Sequence, residues 1–169
     1  MIRVRGSSVP LISENKMSVS DQKKILAVSS SGGHWEQLML LRPAFDGADV
    51  TYVTTIEGLL EKSGVSSGLV VKDCNRNRPW DIVRCALGLL QIMKDIRPQY
   101  VVTTGAAPGI IALAVGRMLG AQTVWIDSVA NSEELSMSGK LAGKIANLWL
   151  TQWQHVSMPN GPIFRGRVL

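Results

Sequence analysis

Lys24-Ile25-Leu26-Ala27-Val28-Ser29-Ser30-Ser31-Gly32-Gly33-His34-Trp35-Glu36-Gln37-Leu38 decides how the rest of the chain is read. A short apolar run enters, a Ser/Gly loop follows, and apolar residues then recur at helical spacing through Leu38, Leu41 and Phe45. That order is strand, tight loop, helix, the opening unit of an α/β domain that handles a nucleotide or a phosphate. Gly32 and Gly33 admit backbone conformations closed to other residues and let a ligand approach the main chain. Ser30 and Ser31 add hydroxyls, and the free N–H groups of a helix start favour an anion. His34, at the head of the helix, is either a base working near neutral pH, a neutral hydrogen-bonder, or a side chain that packs and caps the turn. The loop matches neither G-x-G-x-x-G nor G-x-x-x-x-G-K-[ST], so neither the dinucleotide nor the P-loop mechanism is licensed.

Working outward, the strand–helix alternation continues. Asp49–Thr55 is β-branched and strand-like, Gly58–Ser63 a short helix or turn, and Gly68–Lys72 a further short strand. Asp73–Pro79 is a polar, basic loop. Trp80–Arg97 reads as the longest helix, its polar positions Asp81, Arg84, Gly88, Gln91 and Asp95 forming one narrow stripe. An apolar surface over most of its circumference predicts a helix sandwiched in the core, the alternative being a face left for a membrane or partner. Tyr100–Thr104 is the next strand, and a second glycine loop, Gly105-Ala106-Ala107-Pro108-Gly109, opens a helix over Ile110–Leu119. Pro108 suits the first helical position and Gly120 the C-terminal cap. Ala106 and Ala107 carry no capping oxygen, so the N–H groups there are left for a phosphate or for water. Gln122–Asp127 is a strand, Ser128–Ser138 a polar loop, Gly139–Leu148 a helix and Trp149–Gln152 a last short strand. The fold expected is a Rossmann-like, doubly wound parallel sheet. Its ligand edge lies beyond the carboxyl ends of the strands, where the loops Ser29–His34, Thr103–Gly109 and Asp127–Ser138 are expected to converge.

Composition bounds the function. A chain of 169 residues with 46% hydrophobic and 18% charged residues holds one core of domain size. We expect residues 25–169 to form that domain and residues 1–24, polar and lacking apolar periodicity, to be a disordered arm, with Met17 a candidate translation start. The net charge of +5 points to an anionic partner, and the lack of basic runs interleaved with aromatics argues against nucleic acid. Cys74 and Cys85 have neither C-x-x-C spacing nor a neighbouring histidine, so no metal site is expected and the thiols read as reduced. No cofactor is implied. Charges through the first two dozen residues leave no apolar signal core, and no apolar run reaches spanning length.

Three stretches make the sequence specific. Val28-Ser29-Ser30-Ser31-Gly32-Gly33-His34 with Arg42-Pro43-Ala44-Phe45, then Thr103-Thr104-Gly105-Ala106-Ala107-Pro108-Gly109, and the long signature from Trp125 to Trp153 together resemble bacterial PssD-type oligosaccharide-biosynthesis proteins. These are similar to the membrane-recruiting subunit of the eukaryotic UDP-N-acetylglucosamine transferase of lipid-linked oligosaccharide synthesis. The resemblance runs from about Ile25 to Leu169. Asp127 stands where the eukaryotic relatives usually have Glu, Asn131 where they have Arg, and their amino-terminal membrane helix has no counterpart in this sequence.

The resemblance implies the N-terminal, acceptor-side half of a GT-B glycosyltransferase. A PssE-type donor-binding subunit would supply the other half, docking against the open edge and the C-terminal tail. The acceptor implied is a polyprenyl-diphosphate-linked glycan, and the sugar would come from a UDP-sugar through the complex. The location implied is the cytoplasmic face of the inner membrane, held peripherally. On this reading Ser30, Ser31, Gly32, Gly33, Thr104, Gly105, Ala106, Pro108 and Gly109 hold the diphosphate, and His34 is general base or diphosphate ligand. Asp127, Ser128, Asn131, Glu134, Ser138 and Lys140 are further candidates. Asp127 equally suits a loop cap, and Lys140 and Lys144 face either anionic lipid or solvent. Two alternatives are a non-catalytic membrane anchor that activates the partner, and an unrelated nucleotide-binding module in which Glu57 reads a ribose.

Overall fold

The computed structural model describes residues 22–74 and 78–168. The expected disordered arm, up to residue 21, and Asn75–Asn77 of the basic loop lie outside them.

Seven parallel strands form one sheet. They are β1 (Lys24–Val28), β2 (Asp49–Thr54), β3 (Gly68–Val70), β4 (Tyr100–Thr103), β5 (Gln122–Ile126), β6 (Leu148–Thr151) and β7 (Ile163–Phe164), in the spatial order β3-β2-β1-β4-β5-β6-β7. Register is set by pairs such as Val28 with Val53 and with Thr103, and Thr103 with Trp125. The chain leaves β1 toward β2 and β3, then returns across β1 to β4. The topological switch point therefore lies between β1 and β4, where doubly wound sheets open a crevice for ligands.

The period-two alternation of the strands divides the core between the two faces. Leu26, Val28, Val101 and Trp125 face α3 (Pro79–Ile96), α4 (Ala106–Met118) and α5 (Met137–Ala142). Ala27 and Tyr52 pack with Trp35 and Leu38 of α1 (Gly33–Leu40) and Leu60 of α2 (Leu59–Lys62). Both faces are covered, which is why the central strands read as continuous apolar runs.

Several expected boundaries move, each for a local reason. The helical spacing continues past Leu41, but Arg42–Phe45 is a 3-10 turn, because Pro43 has no N–H to continue the α-helical ladder. α4 begins at Ala106, so Pro108 is its third residue rather than its first; a proline fits there because the first-turn N–H groups need no partner. Gly120 does end that helix, at φ 85°. The N–H groups of Gly120 and Ala121 return to the carbonyls of Arg117 and Gly116, the Schellman arrangement. α5 starts two residues before the expected position and stops at Ala142, since the Ser136 hydroxyl accepts from Gly139 N at 2.8 Å and fixes the start.

α3 departs most from expectation. Cys85, Leu89 and Met93 are buried, but Trp80 is 75% exposed, and Val83 and Leu87 are also exposed. The helix is not sandwiched; it covers one face of the sheet and leaves apolar side chains in solvent. Among the described residues no helix is long and apolar enough to cross a membrane.

Candidate functional site

The loops after β1 and β4 meet at the switch point, and side chains from each stitch them together. His34 Nδ1 lies 3.0 Å from the carbonyl oxygen of Thr104. In return the Thr104 hydroxyl donates to the carbonyl of His34 at 2.6 Å, and the Ser29 hydroxyl lies 3.4 Å from it. Ser29 and Thr104 are fully buried, so these contacts form in a medium where leaving a polar group unpaired is costly.

The partner of Nδ1 assigns the tautomer. A carbonyl only accepts, so Nδ1 carries the proton, and in the neutral ring the lone pair is on Nε2. Nε2 has no hydrogen-bond partner among the described residues. This is the orientation a general base requires: one nitrogen fixed by the scaffold, the other free to take a proton.

Gly105 makes room for the ring. At φ 142° it holds a backbone that L side chains rarely adopt, and a Cβ built on it would meet His34 Nδ1. Ala106, next in line, sits at φ 65°, strained for a residue with a side chain. Gly32 precedes α1 at φ 62°. Gly33 has neither a positive φ nor a neighbour within 4 Å of an added Cβ, so the local fold does not demand a glycine there. Neither α1 nor α4 has a side-chain cap, so two helix starts with free N–H groups flank the crevice, the arrangement that suits an anion. Gly109 is required by packing, since its Cβ would run into Thr103 Oγ1.

A cleft of about 330 Å³ opens beside this junction, lined by Gly33, His34, Glu36, Gln37, Leu40 and the Ser128–Ala130 segment. Gln37, buried on α1, is the residue that joins the third loop. Its Nε2 donates to Ser128 Oγ at 2.9 Å and to the carbonyl of Gly33 at 3.2 Å, while its Oε1 accepts from Val129 N at 3.0 Å. Gln152, at the end of β6, donates to Gln37 Oε1 and to the carbonyl of Asp127, and accepts from Val168 N. The wall of the cleft is thus tied to the C-terminal segment through two buried amides.

The remaining candidates separate into two groups. Asp127 is 2% exposed, and its carboxylate accepts from Trp125 Nε1, Asn131 Nδ2, Ser136 N and Ser136 Oγ, the last at 2.8 Å. Asp127, Asn131 and Ser136 together form the internal frame of the β5–α5 loop. Glu134 and Lys140 pair at 2.7 Å on the surface, and the Lys140 ammonium holds the Glu134 carboxyl below its usual range. Ser138 lies farther along α5, on the border of an apolar groove. Ser30, through its carbonyl, accepts from Thr54 Oγ1 at 3.3 Å. The sequence reading missed Gln37 and Gln152; a glutamine inside the buried face of a helix was the available signal for the first. No group of three or more metal-ligating side chains occurs among the described residues.

No protein-family model matches the chain, and no curated protein sequence matches it. Solved structures do. MurG of Acinetobacter baumannii superposes with a TM-score of 0.70 over 84% of this chain, at 13% identity. The UDP-GlcNAc 2-epimerase of Neisseria meningitidis, solved with UDP-GlcNAc bound, gives 0.61 over 78% at 10% identity. A glycosyltransferase of Rickettsia africae gives 0.54 over 74% at 18% identity. The chain spans 45%, 41% and 34% of those structures, less than half of each. At such identities the likeness is one of fold: the chain has the Rossmann-like architecture that makes up one half of a GT-B enzyme.

Proposed function

We propose that this chain is the acceptor-side half of a GT-B glycosyltransferase that uses a UDP-sugar. It would work with a donor-binding chain, on a polyprenyl-diphosphate-linked glycan at a membrane surface. The observation that carries the reading is the His34–Thr104 junction, a histidine with one nitrogen anchored and the other free, placed at the switch point of a GT-B-like sheet. The likeness to MurG and to a UDP-GlcNAc 2-epimerase bound to UDP-GlcNAc supports glycosyl transfer in general. The acceptor, the separate donor chain and the part in polysaccharide synthesis rest on the resemblance of the Trp125–Trp153 signature and the two glycine loops to PssD-type proteins. The net charge of +5 and the exposed Trp80, Val83 and Leu87 support peripheral attachment to an anionic membrane.

In this mechanism the N–H groups at the starts of α1 and α4 hold the acceptor's diphosphate. The acceptor hydroxyl gives its proton to His34 Nε2 as its oxygen bonds to the anomeric carbon. The bond from that carbon to the UDP oxygen breaks, and the electron pair leaves with UDP. Thr104 keeps Nδ1 protonated and the ring in place.

The test is reconstitution. The chain is co-expressed with the product of the neighbouring open reading frame and assayed with a panel of UDP-sugars and membrane lipid extract. Transfer of one sugar to lipid, lost when either chain is omitted, is expected. Full transfer by the neighbouring chain alone would reduce this chain to an anchor and overturn the reading.

A further inference from the structure

Distinct from the His34 cleft, a groove of about 680 Å³ runs between three helices. Ile82 of α3, Ile110 and Ile111 of α4 and Leu141 of α5 line it together with Lys140 and Lys144. We propose that this groove holds the first isoprene units of the acceptor's polyprenyl chain; the inference rests on the function proposed above and assigns the lipid part of the substrate to a place on this chain.

Three observations select that occupant. The first is charge. The lining is mostly apolar and includes two lysines and no carboxylate; no carboxylate among the described residues pairs with Lys144, and the partner of Lys140, Glu134, is itself exposed. An apolar chain ending in phosphate matches that pattern, whereas a neutral apolar ligand leaves the lysines unused. The second is continuity. Ala107, which belongs to the groove, lies two residues past Gly105, the residue against the His34 ring. A chain lying in the groove therefore has its head at the start of α4, beside the loop that would hold the diphosphate. The third is size. At about 680 Å³ its volume falls in the range of sites for single small molecules. α3, which contributes Ile82, also exposes Trp80, Val83 and Leu87, so the apolar surface extends past the groove.

The experiment titrates the full chain with farnesyl diphosphate, with inorganic diphosphate, and with vesicles of phosphatidylglycerol. Leu141→Glu and Lys144→Glu are the variants, both at exposed positions; unchanged circular dichroism and melting temperature establish that they fold. Farnesyl diphosphate is expected to bind at least about tenfold more tightly than inorganic diphosphate. Leu141→Glu should abolish that preference, and Lys144→Glu should weaken both ligands. Equal affinity for the two ligands, or a preference that survives Leu141→Glu, overturns the proposal. Vesicle binding that Leu141→Glu removes, without any farnesyl preference, overturns it in favour of a membrane-contact surface. A farnesyl preference in a chain that fails the sugar-transfer test leaves the groove standing and removes the function. Transfer without the preference removes only the groove.

Discussion

Gln152 Nε2 donates to Gln37 Oε1 at 2.8 Å, joining the end of β6 to α1 through two side chains that are almost wholly buried. Gln37 in turn reaches Gly33, Ser128 and Val129, and Gln152 reaches Asp127 and Val168. One amide pair therefore sets how the glycine loop, the β5–α5 loop and the C-terminal segment sit against one another.

Gln37→Leu keeps the approximate volume and strands the partners of both amide atoms. Each buried group left unpaired costs about 1–3 kcal/mol, and each kcal/mol lowers the melting temperature of a domain this size by about 2–4 °C. Gln152→Leu should do the same. Because the two residues share a bond, the double variant should lose less than the sum of the singles. Strict additivity in thermal or urea unfolding would show that they act independently.

The glycines at the crevice should respond in opposite ways. Gly105→Ala drives a Cβ into the His34 ring at an unfavourable φ, and we expect a loss of about 2–5 kcal/mol or a displaced imidazole. Gly33→Ala meets nothing within 4 Å and should change stability by less than about 0.5 kcal/mol. If the backbone at Gly33 approaches a diphosphate, that same silent variant should raise the acceptor KM. An unchanged KM would place the ligand elsewhere.

His34→Ala and His34→Asn separate the roles open to the imidazole. A general base predicts a fall in turnover of roughly 10²–10⁴-fold in both variants with little change in acceptor KM. A diphosphate ligand predicts a raised KM with turnover preserved, most nearly in the Asn variant, whose amide still hydrogen-bonds. Steady-state kinetics on the two-chain complex, with gel filtration to confirm assembly, reads out the difference. Wild-type kinetics in both variants would make the ring structural.

Burial pushes the thiols of Cys74 and Cys85 above the ordinary cysteine value, with Asp73 adding to both and the Cys85 side chain partly offsetting the shift at Cys74. Burial also raises Tyr52, against the lowering effect of Arg42. The folded state therefore holds protons that the unfolded chain releases above about pH 8.5. The stability tied to these groups is complete below that pH and is lost as pH rises through the raised values. The melting temperature should fall progressively from about pH 9, and the native thiols should resist alkylation at pH 8. Rapid alkylation of the folded chain would contradict the burial.

The architecture was legible because its signals are local. The apolar run into Ser29–Gly33, the β-branched Asp49–Thr55 segment and the Gly105–Gly109 loop each carry their own periodicity or turn chemistry. Boundaries failed where one residue overrode a longer pattern, as Pro43 did after Leu41 and as Ser136 did at the start of α5. The two-residue β7 was too short to show any alternation. α3 misled because its composition reports apolar circumference and not how much of that circumference the sheet covers. Within the site, the glycine loops and His34 were visible as motifs. The Gln37–Gln152 pair was not, because the partners are 115 residues apart and only the folded sheet brings them together.

Equilibrium binding of UDP-sugars to the isolated chain tests the central claim most directly. An acceptor-side half should show no saturable binding of UDP-N-acetylglucosamine or UDP-glucose, and should bind the UDP-sugar only after the donor chain is added. Micromolar binding of a UDP-sugar by this chain alone would contradict the account, since the switch-point crevice would then be a nucleotide site.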